Sequence, residues 1–253
     1  ADADVAPHRW LYELQWQPEA APRLAGLPDL PAVQPAHGSA AGAWLVLADR
    51  GGVGRALAAA LEHGGGRCCL VEIGSAWEQV DERCWRVPPG DLTAYARLVR
   101  QVVERMRPPL AGVVHLWSVD DRPPAELTPE DLASAQESGT KSVLLLLQAL
   151  LQHADAGQPR VWLVTRGAVA TGPVEPPVSL AASCVWGLGR VLSLEHPHLW
   201  GGLIDLAPGA EADERASQVL GELLGRSDED QTAYRHGRRH VPRLVRAMVP
   251  PAQ

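Results

Sequence analysis

Residues 49–54 read Asp-Arg-Gly-Gly-Val-Gly, and they hold the densest group of features that could do chemistry. A glycine-rich turn between a strand and a helix presents bare backbone N–H groups, and at a helix N-terminus those groups suit a pyrophosphate. Glu72 lies about twenty residues beyond Gly51, where an acid would hold a ribose hydroxyl. Two features oppose that chemistry. Gly51, Gly52 and Gly54 are compressed, so neither Gly-x-Gly-x-x-Gly nor Gly-x-x-x-Gly-x-Gly can be read. Asp49 places a carboxylate where phosphate oxygens would lie, and like charge disfavours the anion. The other reading of Glu72 is a solvated carboxylate at a strand end.

Other reactive side chains are scattered. Lys141 is the only lysine in the chain. Cys68, Cys69, Cys84 and Cys184 form no Cys-x-x-Cys pair, so buried free thiols in a reducing cytosol are expected, with no metal. His196 and His198 flank a proline, His236 and His240 flank a turn, and no His-Glu-x-x-His occurs. Ser179 and Ser183 lack a Gly-x-Ser-x-Gly elbow. Residues 235–239, Arg-His-Gly-Arg-Arg, are basic; a solvated or interdomain face is expected there, a phosphate site being the alternative.

The elements that must position these groups alternate. Trp44–Ala48 is an apolar run without helical period, and after the glycine turn Arg55–Leu61 starts an Ala/Leu-rich helix. Strand, turn and helix in that order open a doubly wound sheet. Arg67–Ile73, Cys84–Val87, Leu110–Leu116, Arg160–Thr165 and Trp200–Leu206 read as further strands. Asp91 is a helix N-cap, followed by Leu92, Tyr95, Val99, Val102 and Met106 on one stripe. Thr128-Pro129 opens a helix that is expected to run unbroken to about His153. A Pro/Gly-rich loop at 172–177 precedes a helix expected over about 179–196, and a final helix is expected over 212–224.

Both ends stand apart from this pattern. Residues 10–16, WLYELQW, alternate like a strand, and residues 17–42 carry Pro18, Pro22, Pro28, Pro31 and Pro35, which suit a surface connection. Residues 231–246 read as a closing hairpin about Gly237, and 247–253 as a linker. A lone strand needs a ladder, so pairing of 10–16 with the hairpin is expected. The expected organisation is one unit over 1–253, with a Rossmann-like core at 43–230. The fold class is α/β: a truncated Rossmann-like parallel sheet with helices on both faces, plus a small terminal strand-hairpin sheet.

Composition narrows the function classes. A 46% hydrophobic fraction supplies a core, and a net charge of −7 argues against a nucleic-acid surface. No apolar run is long enough to cross a bilayer, and no charged-then-apolar leader opens the chain, so no membrane partner is expected. Many arginines against one lysine, with no phenylalanine, resemble translation from a GC-rich bacterial genome.

Six stretches together carry a resemblance: WLYELQW, AWLVLADRGGVGRALAAAL, GVVHLWSVD, VWLVTRGAV, CVWGLGRVLSLEHPHLWGGLIDL and QTAYRHGRRHVPRLVR. In this order they resemble the structural subdomain of ketoreductases in type I modular polyketide synthases, a truncated relative of short-chain dehydrogenase/reductases. The resemblance spans about Trp10 to Arg246. It implies a cofactor-free half that braces a separate catalytic ketoreductase half, with enoylreductase or methyltransferase domains as further neighbours, or a pseudo-ketoreductase.

That resemblance also says where a reductase would keep its machinery. Active relatives have small residues after the fourth strand, where this chain has His115-Leu116-Trp117-Ser118, so Leu116 and Trp117 are expected to fill the cofactor volume. Active relatives place a serine at the end of the fifth strand, which here reads Thr165-Arg166-Gly167. The next helix should supply Tyr-x-x-x-Lys or Tyr-x-x-x-Asn but reads Trp186-Gly187-Leu188-Gly189-Arg190. An indole N–H is a donor only, and a guanidinium does not shuttle protons at neutral pH. Lys141 resembles the position of the catalytic lysine in polyketide ketoreductases, yet Tyr12, Tyr95 and Tyr234 all lie on other elements. No catalytic, cofactor or metal residues are therefore assigned, and the expected site of docking is the terminal sheet, through Leu11, Tyr12, Leu14 and nearby Arg243. The competing readings are an autonomous NAD(P)H-dependent reductase and a nucleotide-binding module without chemistry.

Overall fold

The computed structural model describes residues 11–21, 40–106, 110–121, 125, 127–153, 159–172, 178–225 and 227–247. Ten strands form one sheet: β1 (Tyr12–Glu19), β2 (Ala43–Leu47), β3 (Arg67–Ile73), β4 (Glu78–Gln79), β5 (Cys84–Val87), β6 (Leu110–His115), β7 (Arg160–Arg166), β8 (Trp200–Leu206), β9 (Gln231–Arg235) and β10 (Arg238–Arg246). Their order is β1-β10-β9-β8-β7-β6-β2-β3-β5-β4. Pairing is parallel from β9 through to β5 and antiparallel at both edges. Six helices accompany it: α1 (Val53–His63), α2 (Leu92–Arg105), α3 (Pro129–Gln136), α4 (Ser142–Gln152), α5 (Leu180–Glu195) and α6 (Ala212–Leu224).

Strand alternation builds two cores. On β2, Leu45 and Leu47 face a cluster with Tyr95, Leu98, Leu146 and Val185, which come from α2, α4 and α5. Trp44 and Val46 face the opposite cluster, with Leu57, Leu61, Val219 and Leu220 from α1 and α6. The expected α/β sheet with helices on both faces is therefore present.

Three expectations are corrected. The terminal elements do not make a separate small sheet: β9 pairs in parallel with β8, so the hairpin extends the main sheet and β1 closes its edge. The N-terminal strand runs on to Glu19, through Pro18, because an edge strand can leave one side without donors. Most of the expected 17–42 connection, residues 22–39, lies outside the described residues, as do 173–177 of the expected loop. The helix expected to run from Pro129 to His153 is interrupted by a π-helical turn, Glu137–Lys141. Gly139 in that turn is buried against Ser118, and a Cβ there would stand 2.9 Å from Ser118 Oγ. The wider turn lets the helix pass that strand end closely.

β1 and the outer half of β10 form a ribbon. Tyr12 pairs with Arg246, Leu14 with Leu244 and Trp16 with Pro242, whereas β9 reaches only Arg238–His240 of β10. Directly opposite residues share a face. One face therefore carries Tyr12, Leu14, Trp16, Pro242 and Leu244 with Arg246 at its end, and the other carries Glu13, Gln15, Gln17 and Arg243 with Val241 and Val245. Trp16 anchors the apolar face edge-to-face on Trp186 of α5, at 5.7 Å between centroids. The Ala247 N–H donates to the Leu11 carbonyl at 3.0 Å, so the two ends of the described chain meet.

Candidate functional site

The strand order reverses between the parallel neighbours β2 and β6, and in such sheets ligands bind in the crevice outside the strand ends at that point. Here the crevice is bridged by the protein itself. Asp49, which follows β2 and is 5% exposed, turns its carboxylate onto the first turn of α1. The Gly54 N–H donates to Asp49 Oδ1 at 2.7 Å and the Val53 N–H to Oδ2 at 3.2 Å. These are the donors that a pyrophosphate would use. From the far side, Asp120 Oδ2 accepts the Arg50 N–H at 2.8 Å. Burial holds the Asp120 carboxyl above the usual range, the Arg50 N–H lowers it, and the Asp49 charge raises it again. Gly52 provides the left-handed residue of the turn, with φ of 94°.

The wall opposite is aromatic. Trp117 stands in a 3-10 turn, Trp117–Asp120, and is 1% exposed. Its indole N–H points at the Val71 carbonyl at 3.4 Å, and its ring meets His115 at 5.4 Å. Leu116 is fully buried against the other core. Beside Trp117 a cleft of about 290 Å³ is lined by Arg50, Asp120, Asp121, Asp131 and Glu137, an acidic lining that repels phosphates. The residues present do not fit a dinucleotide.

At the end of β7, Trp186 is buried and its indole N–H donates to Thr165 Oγ1 at 2.9 Å. Thr165 in turn donates to Asp205 Oδ1 at 2.6 Å. Asp205 is fully buried, accepts the Ala168 N–H at 2.8 Å, and pairs with Arg235 at 2.5 Å. Arg235 also donates to the carbonyls of Tyr234 and Val169. This is a satisfied structural network, with every strong group committed. Arg190, four residues after Trp186, lies over the Trp186 ring and donates from Nε to Gln231 at 3.1 Å.

Comparison with known proteins follows this geometry. Residues 14–244 match the family described as "Polyketide synthase extender module SpnB, Rossmann fold domain". The chain belongs to that family. It is 32% identical over 251 residues to "Pikromycin polyketide synthase component PikAII" of Streptomyces venezuelae, covering 95% of this chain and 6% of the relative. Among solved structures it resembles "The Structure of a C2-type Ketoreductase from a Modular Polyketide Synthase", with a TM-score of 0.62 and 31% identity over 96% of this chain and 45% of the other. It also resembles "The first ketoreductase of the tylosin PKS", with a TM-score of 0.65 and 27% identity over 96% and 43%. The chain thus spans a small part of that synthase component and under half of each ketoreductase chain.

The remaining candidates of this extender-module Rossmann domain are placed as follows. Glu72 is a partly exposed carboxylate at the end of β3, and it pairs with Arg55 of α1 and, at 3.4 Å, with Arg86 of β5. Lys141 is half-exposed and donates to Glu137 Oε1 at 2.9 Å, one helical turn earlier. Among the described residues no tyrosine hydroxyl bonds it. Ser179 caps α5, its Oγ accepting the Ala182 N–H. Cys68 and Cys69 are buried, and burial pushes both thiols up to about 12, which makes them inert. Cys84 is buried too, but Cys184 is exposed, contrary to expectation, because it falls on the outer face of α5. No group of three metal-ligating side chains occurs among the described residues, and no helix there is long and apolar enough to cross a membrane.

The basic hairpin is a correction. Arg235 and Arg239 are buried, not solvated, and Arg239 pairs with Glu222 at 2.7 Å under Tyr234, whose hydroxyl bonds the same carboxylate. The register pairs Arg239 with Tyr234 and Arg235 with Arg238, so the two buried arginines lie on opposite faces of the hairpin, with His236, φ of 51°, at the turn. Sequence reasoning also missed Asp205 and Asp120. The signal for Asp205 was a charge inside the apolar run Leu203-Ile204-Asp205-Leu206, which demands a buried partner.

His115 gives a measurable consequence. Burial drives its imidazole down to about 3. Ser142 Oγ gives its proton to the carbonyls of Ser138 and Gly139, so His115 Nε2–H donates to Ser142 Oγ at 2.7 Å and Nδ1 is bare. The folded pKa lies below the unfolded one, so the stability it contributes is full above about pH 6.5 and is lost as pH falls toward about 3. Urea unfolding between about pH 6 and pH 4 should show a slope steeper in wild type than in His115→Gln, by up to about 1.4 kcal/mol per pH unit. Equal slopes would mean that the imidazole is not buried neutral.

Proposed function

We propose that this chain is the structural half of a ketoreductase in a modular polyketide synthase, or of its pseudo-ketoreductase. It braces a separate catalytic half that processes carrier-bound β-ketoacyl intermediates, and does no reduction itself. One observation carries the reading: Trp186, at the position that the resemblance gives to the catalytic tyrosine, is locked by its indole N–H onto Thr165 and by its ring onto Trp16. An indole has no acidic proton to give at neutral pH, and Lys141 has no tyrosine to activate.

The partner is the catalytic ketoreductase half of the same polypeptide, with enoylreductase or methyltransferase domains as further neighbours. The apolar face of the terminal ribbon suits it. Tyr12 and Leu14 are each 51% exposed and Leu244 is 71% exposed, next to no covering helix among the described residues. Leu144, Leu180, Val191 and Leu194 add exposed apolar area on α4 and α5. Exposed apolar residues in such numbers mark interfaces.

The chain alone should oxidise no NADPH with any β-ketoacyl thioester, and neither NADPH nor NADH should raise its melting temperature. A ligand at a hundred times its Kd would stabilise by about 2.7 kcal/mol, which thermal unfolding resolves easily. Turnover that disappears in Lys141→Ala would establish an autonomous reductase instead. A shift without turnover would establish a nucleotide-binding module.

A further inference from the structure

The structure assigns to Asp49 the role of a resident anion: its carboxylate occupies a latent phosphate cradle and denies the first N–H groups of α1 to phosphate-class ligands. The inference rests on the proposed cofactor-free reading and supplies its physical cause. The cradle itself is intact. α1 begins with Val53 and Gly54 N–H groups converging on one point, and Gly54 packs so closely on Ala48 that a Cβ would lie 2.7 Å from its Cα. That approach brings the first helical turn over the end of β2, where a phosphate would sit. Asp49 fills the point with two oxygens, and Gly51 gives it room, a Cβ there lying 3.0 Å from Asp49 Oδ2.

A second observation is a buried cation on a neighbouring helix that feels the Asp49 charge. Asp49 has no ion-pair partner within 4.0 Å among the described residues. Its balance comes from the helix N–H groups and from Arg215 of α6, a guanidinium 9% exposed that feels the Asp49 charge. Arg215 donates from Nη2 to the Ala207 carbonyl at 3.2 Å, while its buried Nε has no hydrogen-bond partner. Arg166 lies near enough to Arg215 to oppose its charge. Without the Asp49 carboxylate, the Val53 and Gly54 N–H groups would lose their acceptor, and an inorganic anion at that point would meet no like charge from Asp49.

The experiment titrates the folded full chain with sodium pyrophosphate, following binding by calorimetry and thermal unfolding, for wild type, Asp49→Ala and Asp49→Asn. Wild type should show no binding. Asp49→Ala should bind pyrophosphate at least about a hundredfold more tightly than wild type, since a contacting like charge has been removed. Asp49→Asn should stay near wild type, because the amide oxygen still accepts the helix N–H groups and fills the space. Should Asp49→Ala not fold, Asp49→Ser, whose short hydroxyl caps the helix and leaves the pocket open, takes its place with the same expectation. Pyrophosphate binding by wild type, or none by a folded Ala or Ser variant, overturns the assignment. Wild-type affinity for NADPH but not for pyrophosphate would sink the cofactor-free reading while leaving the plug in place, so the two failures are distinguishable.

Discussion

A chain lacking residues 1–17 should lose stability and fail to support reductase activity when mixed with its catalytic half. The truncation removes most of β1, Tyr12–Glu19, and with it the only strand that pairs with the outer half of β10 among the described residues. A single strand left projecting keeps its backbone groups unpaired, and even a two-stranded ribbon is marginal in water. It also removes Trp16, whose ring is the cover over Trp186, and strips Trp186 to solvent. Loss of an aromatic pair and its buried area costs about 2–4 kcal/mol, before any ladder bonds are counted. Docking is separable from folding. Leu14→Arg with Leu244→Arg alters two exposed positions of the apolar face, so unfolding should change by under about 1 kcal/mol while reconstituted activity falls sharply. Unchanged stability of the truncated chain, with full support of the catalytic half, would refute both the brace and the interface. Full activity with the double arginine variant would move the interface elsewhere, α4 and α5 being the next apolar face.

Trp117→Ala should be the most damaging single substitution in the body, at about 3–5 kcal/mol, as expected for a large-to-small change in a packed core. Trp117 is 1% exposed, shares a cluster with Tyr95, Leu146 and Val185, and bonds the Val71 carbonyl across the sheet. Deleting it would join a new cavity to the cleft beside Asp120 and Asp121. Urea unfolding measures the loss; a change below half of that range would show that the neighbours collapse into the space. Trp117→Phe separates ring packing from the indole bond, and should retain most of the stability.

How far the fold was legible depended on the range of the interactions involved. The six central strands and their helices were legible because burial imposes period two on strands and 3.6 on helices, and such periods are local. Asp91 and Thr128 were legible as caps because a cap is defined within four residues; both side chains accept N–H groups as expected, and Thr128 with Asp131 forms a reciprocal capping box. The π-helical turn was not legible: Gly139 lowers helix propensity without specifying a π turn, and the turn answers to Gly139 packing on Ser118 from another element.

The candidate site divides the same way. The sequence by itself determined that Asp49 stands in the glycine turn, that Trp186 and Arg190 stand where the resemblance puts Tyr-x-x-x-Lys or Tyr-x-x-x-Asn, and that Trp117 is a large residue after the fourth strand. Those are statements of residue type at a position, and type fixes whether a group can donate, accept or ionise. Only the tertiary structure decided that Asp49 bonds the helix N–H groups, that Asp120 closes the crevice from β6, and that Asp205 gathers Thr165 and Arg235. It also turned the basic hairpin from a solvated face into two buried ion pairs. All but the Asp49 bonds join residues many positions apart, and there a charge finds its partner through the packing of whole elements, which no local pattern encodes.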